Sequence, residues 1–205
     1  MVRTAKENPE SKRRLMDAAE KLILSKGFNA TSVDEICARA RLTKGCFFHY
    51  FKSKDDLLRE VLARFCNDQK GRIETDICCG RTQDPLQRVY AHIACAVEMS
   101  KGCVKGKGCL IGVLSQEVSD THPKIREMCA RGFNEWMMIF RSDLEEARRK
   151  YAPRAAIDSK SLAEHFIAVV EGSQILAKAR QDAKIVEKNL GHFQKYLESI
   201  LVRKK

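Results

Sequence analysis

No apolar run in the sequence approaches the roughly 18 residues that a membrane-spanning helix requires; stretches such as Phe166 to Val170 stop far short. The opening Met1-Val2-Arg3-Thr4-Ala5-Lys6 has no apolar core of a secretory signal, so the expected location is cytoplasmic. With only four prolines and eleven glycines, collagen-like and low-complexity chains are excluded. No stretch of alternating polar and apolar residues persists long enough to build a sheet. There is no His-Glu-x-x-His and no Glu-x-x-His, and the five histidines (49, 92, 122, 165 and 192) are scattered. Gly106-Lys107-Gly108 lacks the hydroxyl residue and the spacing of a phosphate-binding loop. Enzyme chemistry is therefore not expected, and neither is a cofactor.

Cysteine, by contrast, is abundant. Nine cysteines without an export signal read as thiols, most of them small core hydrophobes. No Cys-x-x-Cys occurs, and the adjacent Cys78 and Cys79 chelate one ion poorly, so no metal site is expected. The 205 residues are enough to bury a full core without metal or disulfide staples. Lysine and arginine number 38 against 27 acidic residues, a net charge of +11. Residues 1–54 alone hold 12 basic against 6 acidic side chains, so a quarter of the chain carries more than half the excess. That concentration suits an N-terminal module that meets phosphates, although a solvated basic surface is the simpler alternative.

Almost every segment has helical periodicity. Leu15, Ala18, Ala19, Leu22 and Ile23 form one apolar face between Ser11 and Lys26, and Gly27 sits where a left-handed stop is wanted. Thr31 with Asp34, Thr43, and Ser53 with Asp56 are start signals for helices near 32–39, near 44–50 and from Ser53 toward residue 78. Further helices are expected from Pro85, from Cys109 to Ser119, from Pro123 to about Lys150, and over 159–179 and 182–202. Ser100 to Gly108, with three glycines and three lysines, reads as a mobile loop. The fold class is all-α, with about nine helices.

Two short helices joined by Ala40-Arg41-Leu42 have helix-turn-helix spacing, and in that motif the second helix enters the major groove of DNA. In the second helix here, Lys44 can neutralise a phosphate or donate to guanine, and Gly45 lets the backbone approach DNA. His49 and Tyr50 carry polar tips on aromatic stems. Helix starts at Thr31, Thr43 and Ser53 offer free N–H groups to phosphate oxygens, with Lys54 reinforcing the last.

The residues Gly27-Phe28-Asn29-Ala30-Thr31-Ser32-Val33-Asp34-Glu35-Ile36, followed by Leu42-Thr43-Lys44-Gly45-Cys46-Phe47-Phe48-His49-Tyr50-Phe51 and Lys52-Ser53-Lys54-Asp55-Asp56-Leu57-Leu58, closely resemble the N-terminal domain of the TetR family of transcriptional regulators. The resemblance covers about residues 11–62. It implies an all-helical homodimer that represses a promoter until a small ligand in the C-terminal domain frees it from a palindromic operator on double-stranded DNA. It also implies a helix-turn-helix domain over 1–54, its motif at about 33–52, and an effector-binding and dimerisation domain over 55–205. Thr31, Thr43, Lys44, Gly45, His49, Tyr50 and Lys54 fall on family positions that often contact DNA. Cys46 stands there in place of the usual small hydroxyl residue, and Phe48 in place of a tyrosine whose hydroxyl reaches phosphate. Phe47 and Phe51 are expected in the core.

The C-terminal half gives weaker signals. Gly108-Cys109-Leu110-Ile111 with Leu114 to Asp120 resembles a branch of that family that senses electrophiles or oxidants and places cysteine after glycine. Cys109 is therefore the expected sensor, its thiolate favoured by a helix start and by Lys101, Lys105 and Lys107, with Cys103 as resolving partner. Cys37 and Cys66 lie on apparent core faces. Met99, Cys129, Phe133, Trp136 and Phe166 are candidates to line a ligand cavity, core packing being the alternative. Glu171 to Ala177 resembles the family's dimer bundle, and the apolar faces Leu162, Phe166, Val169 and Val170, with Leu190, Phe193 and Leu197, are expected to pair with a second copy. Two rivals remain: a reversible hydrophobic ligand with purely structural cysteines, and a nucleic-acid binder held only by charge.

Overall fold

The computed structural model describes residues 9–75, 83–105 and 108–202. Cys78, Cys79 and Lys107 lie outside them, as does the side chain of Lys105. Among the described residues the chain is all helical: α1 (Pro9–Lys26), α2 (Val33–Ala40), α3 (Lys44–Tyr50), α4 (Lys54–Glu74), α5 (Pro85–Ser100), α6 (Leu110–Glu117), α7 (Pro123–Tyr151), α8 (Ser159–Arg180) and α9 (Lys184–Leu201). No strand occurs there.

The ends of these helices follow from local chemistry. Gly27 ends α1 at φ 92°, a left-handed conformation that side chains disfavour. At the start of α2 the cap is Ser32, one residue later than expected. Its hydroxyl accepts from the Glu35 amide, and Glu35 reaches back to the Ser32 amide, so both orphan donors are satisfied. Thr43 and Ser53 cap α3 and α4 as the sequence indicates. Asp84 caps α5 ahead of Pro85, and Asp158 caps α8.

Two apolar cores result. The first gathers α1 to α4, α6 and the beginning of α7 around Leu15, Ile36, Phe47, Phe51, Leu62 and Leu114. Leu57, Leu58, Val61, Leu62 and Phe65 of α4 belong to it, so the expected boundary at residue 54 falls inside this core. Arg64 ties α4 to α1 through Asp17 (2.7 Å) and Glu20 (2.8 Å).

The second core is built by α5, the later part of α7, α8 and α9. Phe140 stacks on Phe166 with ring centroids 4.3 Å apart, and Phe193 packs against both. Asp143 of α7 accepts from Arg88 (2.6 Å) and contacts His92 (2.8 Å), a largely buried network pinning α5. The faces expected to pair with a second copy are spent here: Leu162, Phe166, Val170, Leu190, Phe193 and Leu197 are buried within the chain itself. Exposed apolar groups on α8 and α9 are instead Ile175, Leu176 and Tyr196.

Candidate DNA-reading head and effector cavity

On α3 the alternation of inward and outward side chains is set by Phe47, which is fully buried against Phe51 and anchors the helix. Thr43, Lys44, Gly45, Phe48 and His49 are then exposed together, while Cys46 and Tyr50 are half-buried. The Thr43 hydroxyl accepts from the Cys46 amide at 3.2 Å. Lys44 pairs with Asp34 of α2 at 2.7 Å, but both side chains are mostly in solvent, so the pair yields easily to a phosphate. A Cβ on Gly45 would meet nothing nearer than the Thr43 hydroxyl at 3.8 Å. Packing within the chain does not demand glycine there; a close external surface would. Phe48, 56% exposed, offers an aromatic face where the family resemblance leads one to expect a phenol.

Two expected DNA contacts are placed elsewhere. Thr31 is buried, its hydroxyl donating to the Gly27 carbonyl at 2.6 Å. Lys54 is turned inward: its ammonium donates to the carbonyls of Phe28 (3.0 Å) and Thr31 (2.9 Å) and sits 4.1 Å from the centre of the Phe28 ring. Both residues brace the turn between α1 and α2 instead of facing outward, because that turn leaves carbonyls that need donors.

The same turn is held from the other side. Glu117, the last residue of α6, accepts from the amides of Phe28 (2.7 Å) and Asn29 (2.8 Å). A Cβ on Gly27 would stand 2.8 Å from both Glu117 carboxylate oxygens, a second reason for glycine at that position. His122, at the start of α7, packs edge-on against Phe28 and lies 3.7 Å from Asp55. None of these contacts has a local sequence signal.

At the opposite end of α6 the helices α4, α5, α6, α7 and α8 line a narrow, mainly apolar cavity with a free volume of about 50 Å3. Phe65, Met99, Ile111, Trp136, Ile139 and Val170 line it, with Cys66, Cys109 and Gln174 among the polar and sulfur groups. Of the expected lining residues Met99 and Trp136 are there. Cys129 and Phe166 are not: both are buried, in the first and second core respectively. Phe133 is half-buried between the two cores. A second depression lies between α1, α6 and α8, lined by Leu24, Cys103, Cys109, Val113, Gln116, Glu171 and Lys178 among others. Cys109 and Gln174 belong to both walls.

The chemistry around Cys109 differs from the expected one. The residue is half-buried, and its amide donates to the Gln174 side chain at 3.0 Å. Burial, and then the charge of the Glu171 carboxyl beside it, push the thiol well above its ordinary range, outweighing the amides of Ile111 and Gly112 that favour the thiolate. Lys101, expected to lower it, pairs with Glu98. Cys103 is buried in a short 3-10 turn (Cys103–Lys105) where a mobile loop was expected, and burial raises its thiol too. Burial does the same at Cys37, Cys66 and Cys129. Six cysteines of the described residues are free, whereas Cys95 is held in a disulfide, so reading all nine as thiols fails at that position.

The sequence marks Glu171 only as the start of a segment resembling the family's dimer bundle, whereas the structure sets it on the depression beside Cys109. Burial raises its carboxyl to about 7, the neighbouring Cys109 thiol working weakly in the opposite sense. Its Oε1 is buried with no hydrogen-bond partner. The other oxygen, Oε2, presses on α6 so closely that a Cβ on Gly112 would lie 2.0 Å from it. Among the described residues no cluster of His, Cys, Asp and Glu is arranged to hold a metal ion, and no helix is long and apolar enough to cross a membrane.

A helix-turn-helix with an exposed second helix led by Lys44, mounted on a helical body with an internal cavity, has the architecture of a DNA-binding transcriptional regulator. Residues 15–61 match the model of the bacterial regulatory proteins of the tetR family, and residues 85–193 match the tetracyclin repressor-like C-terminal domain. The chain belongs to the tetR family. Among its relatives, the HTH-type transcriptional repressor DhaR of Mycobacterium sp. (strain GP1) is 25% identical over 87% of this chain and 88% of its own length. The HTH-type transcriptional repressor NemR of Escherichia coli K12 is 24% identical over 89% of this chain and 92% of its own. The fold is shared with a regulatory protein TetR from Rhodobacter sphaeroides (TM-score 0.80, 24% identity, 91% of this chain and 98% of that one). It is shared equally with the reduced form of E. coli NemR (TM-score 0.78, 24% identity, 91% and 96%).

Proposed function

We propose that this chain is a dimeric repressor that grips a palindromic operator through α2 and α3 and lets go when a small, mainly apolar effector enters the cavity beside α6. Thr43, Lys44, Gly45, Cys46, His49 and Tyr50 form the reading face, and Thr31 and Lys54 act one step behind it by fixing the turn ahead of α2. The carrying observation is α6 itself. One eight-residue helix lines the cavity at Ile111 and ends at Glu117, which holds the amides of Phe28 and Asn29. An occupant that shifts α6 therefore moves the turn from which the reading helices depart. Exposed Ile175, Leu176 and Tyr196 support pairing of two copies through α8 and α9.

Footprinting on the native upstream region tests the reading. A discrete palindrome should be protected by a particle of twice 23.3 kDa in light scattering. Diffuse protection whose strength follows salt alone would leave a charge-only binder.

A second reading is favoured by one observation. Cys109 is the thiol common to both cavity walls, so an electrophile entering from either side meets it. In this reading covalent modification of Cys109 takes the place of reversible occupancy. Cys103, on the wall of the second depression, is its candidate partner under oxidants.

A further inference from the structure

We propose that Glu171 is the proton acceptor that arms Cys109 toward soft electrophiles of the α,β-unsaturated carbonyl class, an inference that rests on the covalent reading of Cys109. A buried thiol is a poor nucleophile unless its proton has somewhere to go. Here it has. Cys109 and Glu171 line the same depression, and Glu171 Oε1 is buried there without a hydrogen-bond partner, free to take a proton. The amides of Ile111 and Gly112 at the start of α6 face the sulfur and stabilise negative charge as it develops there. Gly112 is what permits the arrangement, since any side chain at that position would collide with Glu171 Oε2.

In the step, the Cys109 sulfur bonds the β-carbon of the electrophile while its proton passes to Glu171. The alkene electron pair moves to the α-carbon and carbonyl as an enolate, and the α-carbon then takes a proton back from Glu171. The sum is addition of S–H across C=C; nothing is oxidised or reduced. The product places a new substituent between α6 and α8, where Glu171 and Gly112 are in contact.

The ionisable groups that share a depression with Glu171 are Cys103, Cys109 and Lys178, while Cys66, Lys70 and Glu135 line the first cavity, which Cys109 also lines. Lys178 is directed to the Leu24 carbonyl at 3.5 Å. Electrostatics offers the opposite expectation: a carboxylate that merely repels a thiolate would slow Cys109, and removing it would speed the reaction.

The test is the rate of alkylation of the whole protein by methyl vinyl ketone, resolved by peptide mass mapping from pH 5.5 to 8.5. Half-exposed Cys46 serves as reference within each sample. In the wild type the Cys109 rate should climb through about pH 7, as Glu171 ionises. Glu171→Gln should slow Cys109 by about tenfold or more at pH 8 and remove that inflection, with Cys46 unchanged. Glu171→Asp, which keeps a carboxylate, should retain it. Equal or faster modification of Cys109 in Glu171→Gln overturns the proposal and leaves Cys109 as sensor. Labelled Cys46 beside unlabelled Cys109 in the wild type overturns the covalent reading and the proposal with it.

Discussion

Replacing Glu117 by alanine isolates the contact between α6 and the reading head. The carboxylate accepts two amide hydrogen bonds, from Phe28 at 2.7 Å and Asn29 at 2.8 Å. Hydrogen bonds to a charged group contribute about 1.5–3 kcal/mol each. The Asn29 amide lies at the surface and recovers most of its share from water, whereas the Phe28 amide is half-buried and does not. Glu117→Ala should therefore cost about 2–3 kcal/mol. For a chain of this size each kcal/mol lowers Tm by roughly 2–4 °C, so calorimetry should register a drop of about 4–12 °C. Glu117→Gln, with one acceptor oxygen left, should fall between. Hydrogen exchange gives the local counterpart: the Phe28 amide should exchange about tenfold faster or more, while amides in the middle of α8 change far less. A Tm within about 1 °C of wild type, with unaltered exchange at Phe28, would refute the claim that α6 holds this turn.

Three further outcomes are expected. Lys44→Ala should weaken operator binding by about 1–3 kcal/mol in a gel-shift titration if the ammonium reads a base, and less if it meets only phosphate; its exposed pair with Asp34 contributes little to stability, so Tm should barely move. Phe140→Ala, which opens a cavity beside Phe166 and Phe193, should cost about 3–5 kcal/mol in chemical denaturation. Glu171 is an acid whose folded value, about 7, lies above its ordinary 4.5, so its contribution is complete below pH 4.5 and is lost as pH rises to 7. Glu171→Gln should accordingly raise Tm at pH 8, with the gain shrinking toward pH 5.

The sequence reports what is decided within a turn or two of chain. Pro85, Thr43 before Lys44 and Ser53 before Asp56 mark real helix starts because such signals act over two or three residues. Even there Thr31 misled: it and Ser32 are adjacent hydroxyls, and only the packing of the turn decides that Ser32 caps while Thr31 is buried. Lys54 fitted a phosphate contact by charge and position, but its destination is two carbonyls more than twenty residues away. Glu117 and Glu171 act on partners 88 or 89 and about 60 residues distant, which no periodicity encodes. Cys109 was correctly placed at a helix start, yet its ionisation is set first by burial and then by a carboxylate from α8, neither of which the neighbouring lysines reveal.

Helix α7 belongs to both cores, with Ile125 and Cys129 in the first and Phe140, Leu144 and Ala147 in the second. Its 29 residues make a rod of roughly 43 Å at 1.5 Å per residue. Pivoted at its Phe140 end, such a rod magnifies angles into distances: a tilt of about 3° carries the far tip by roughly 1–2 Å. That tip is His122, set against the Phe28 ring and Asp55. A change in the second core too slight to disturb its own packing thus arrives at the head as a displacement of hydrogen-bond size.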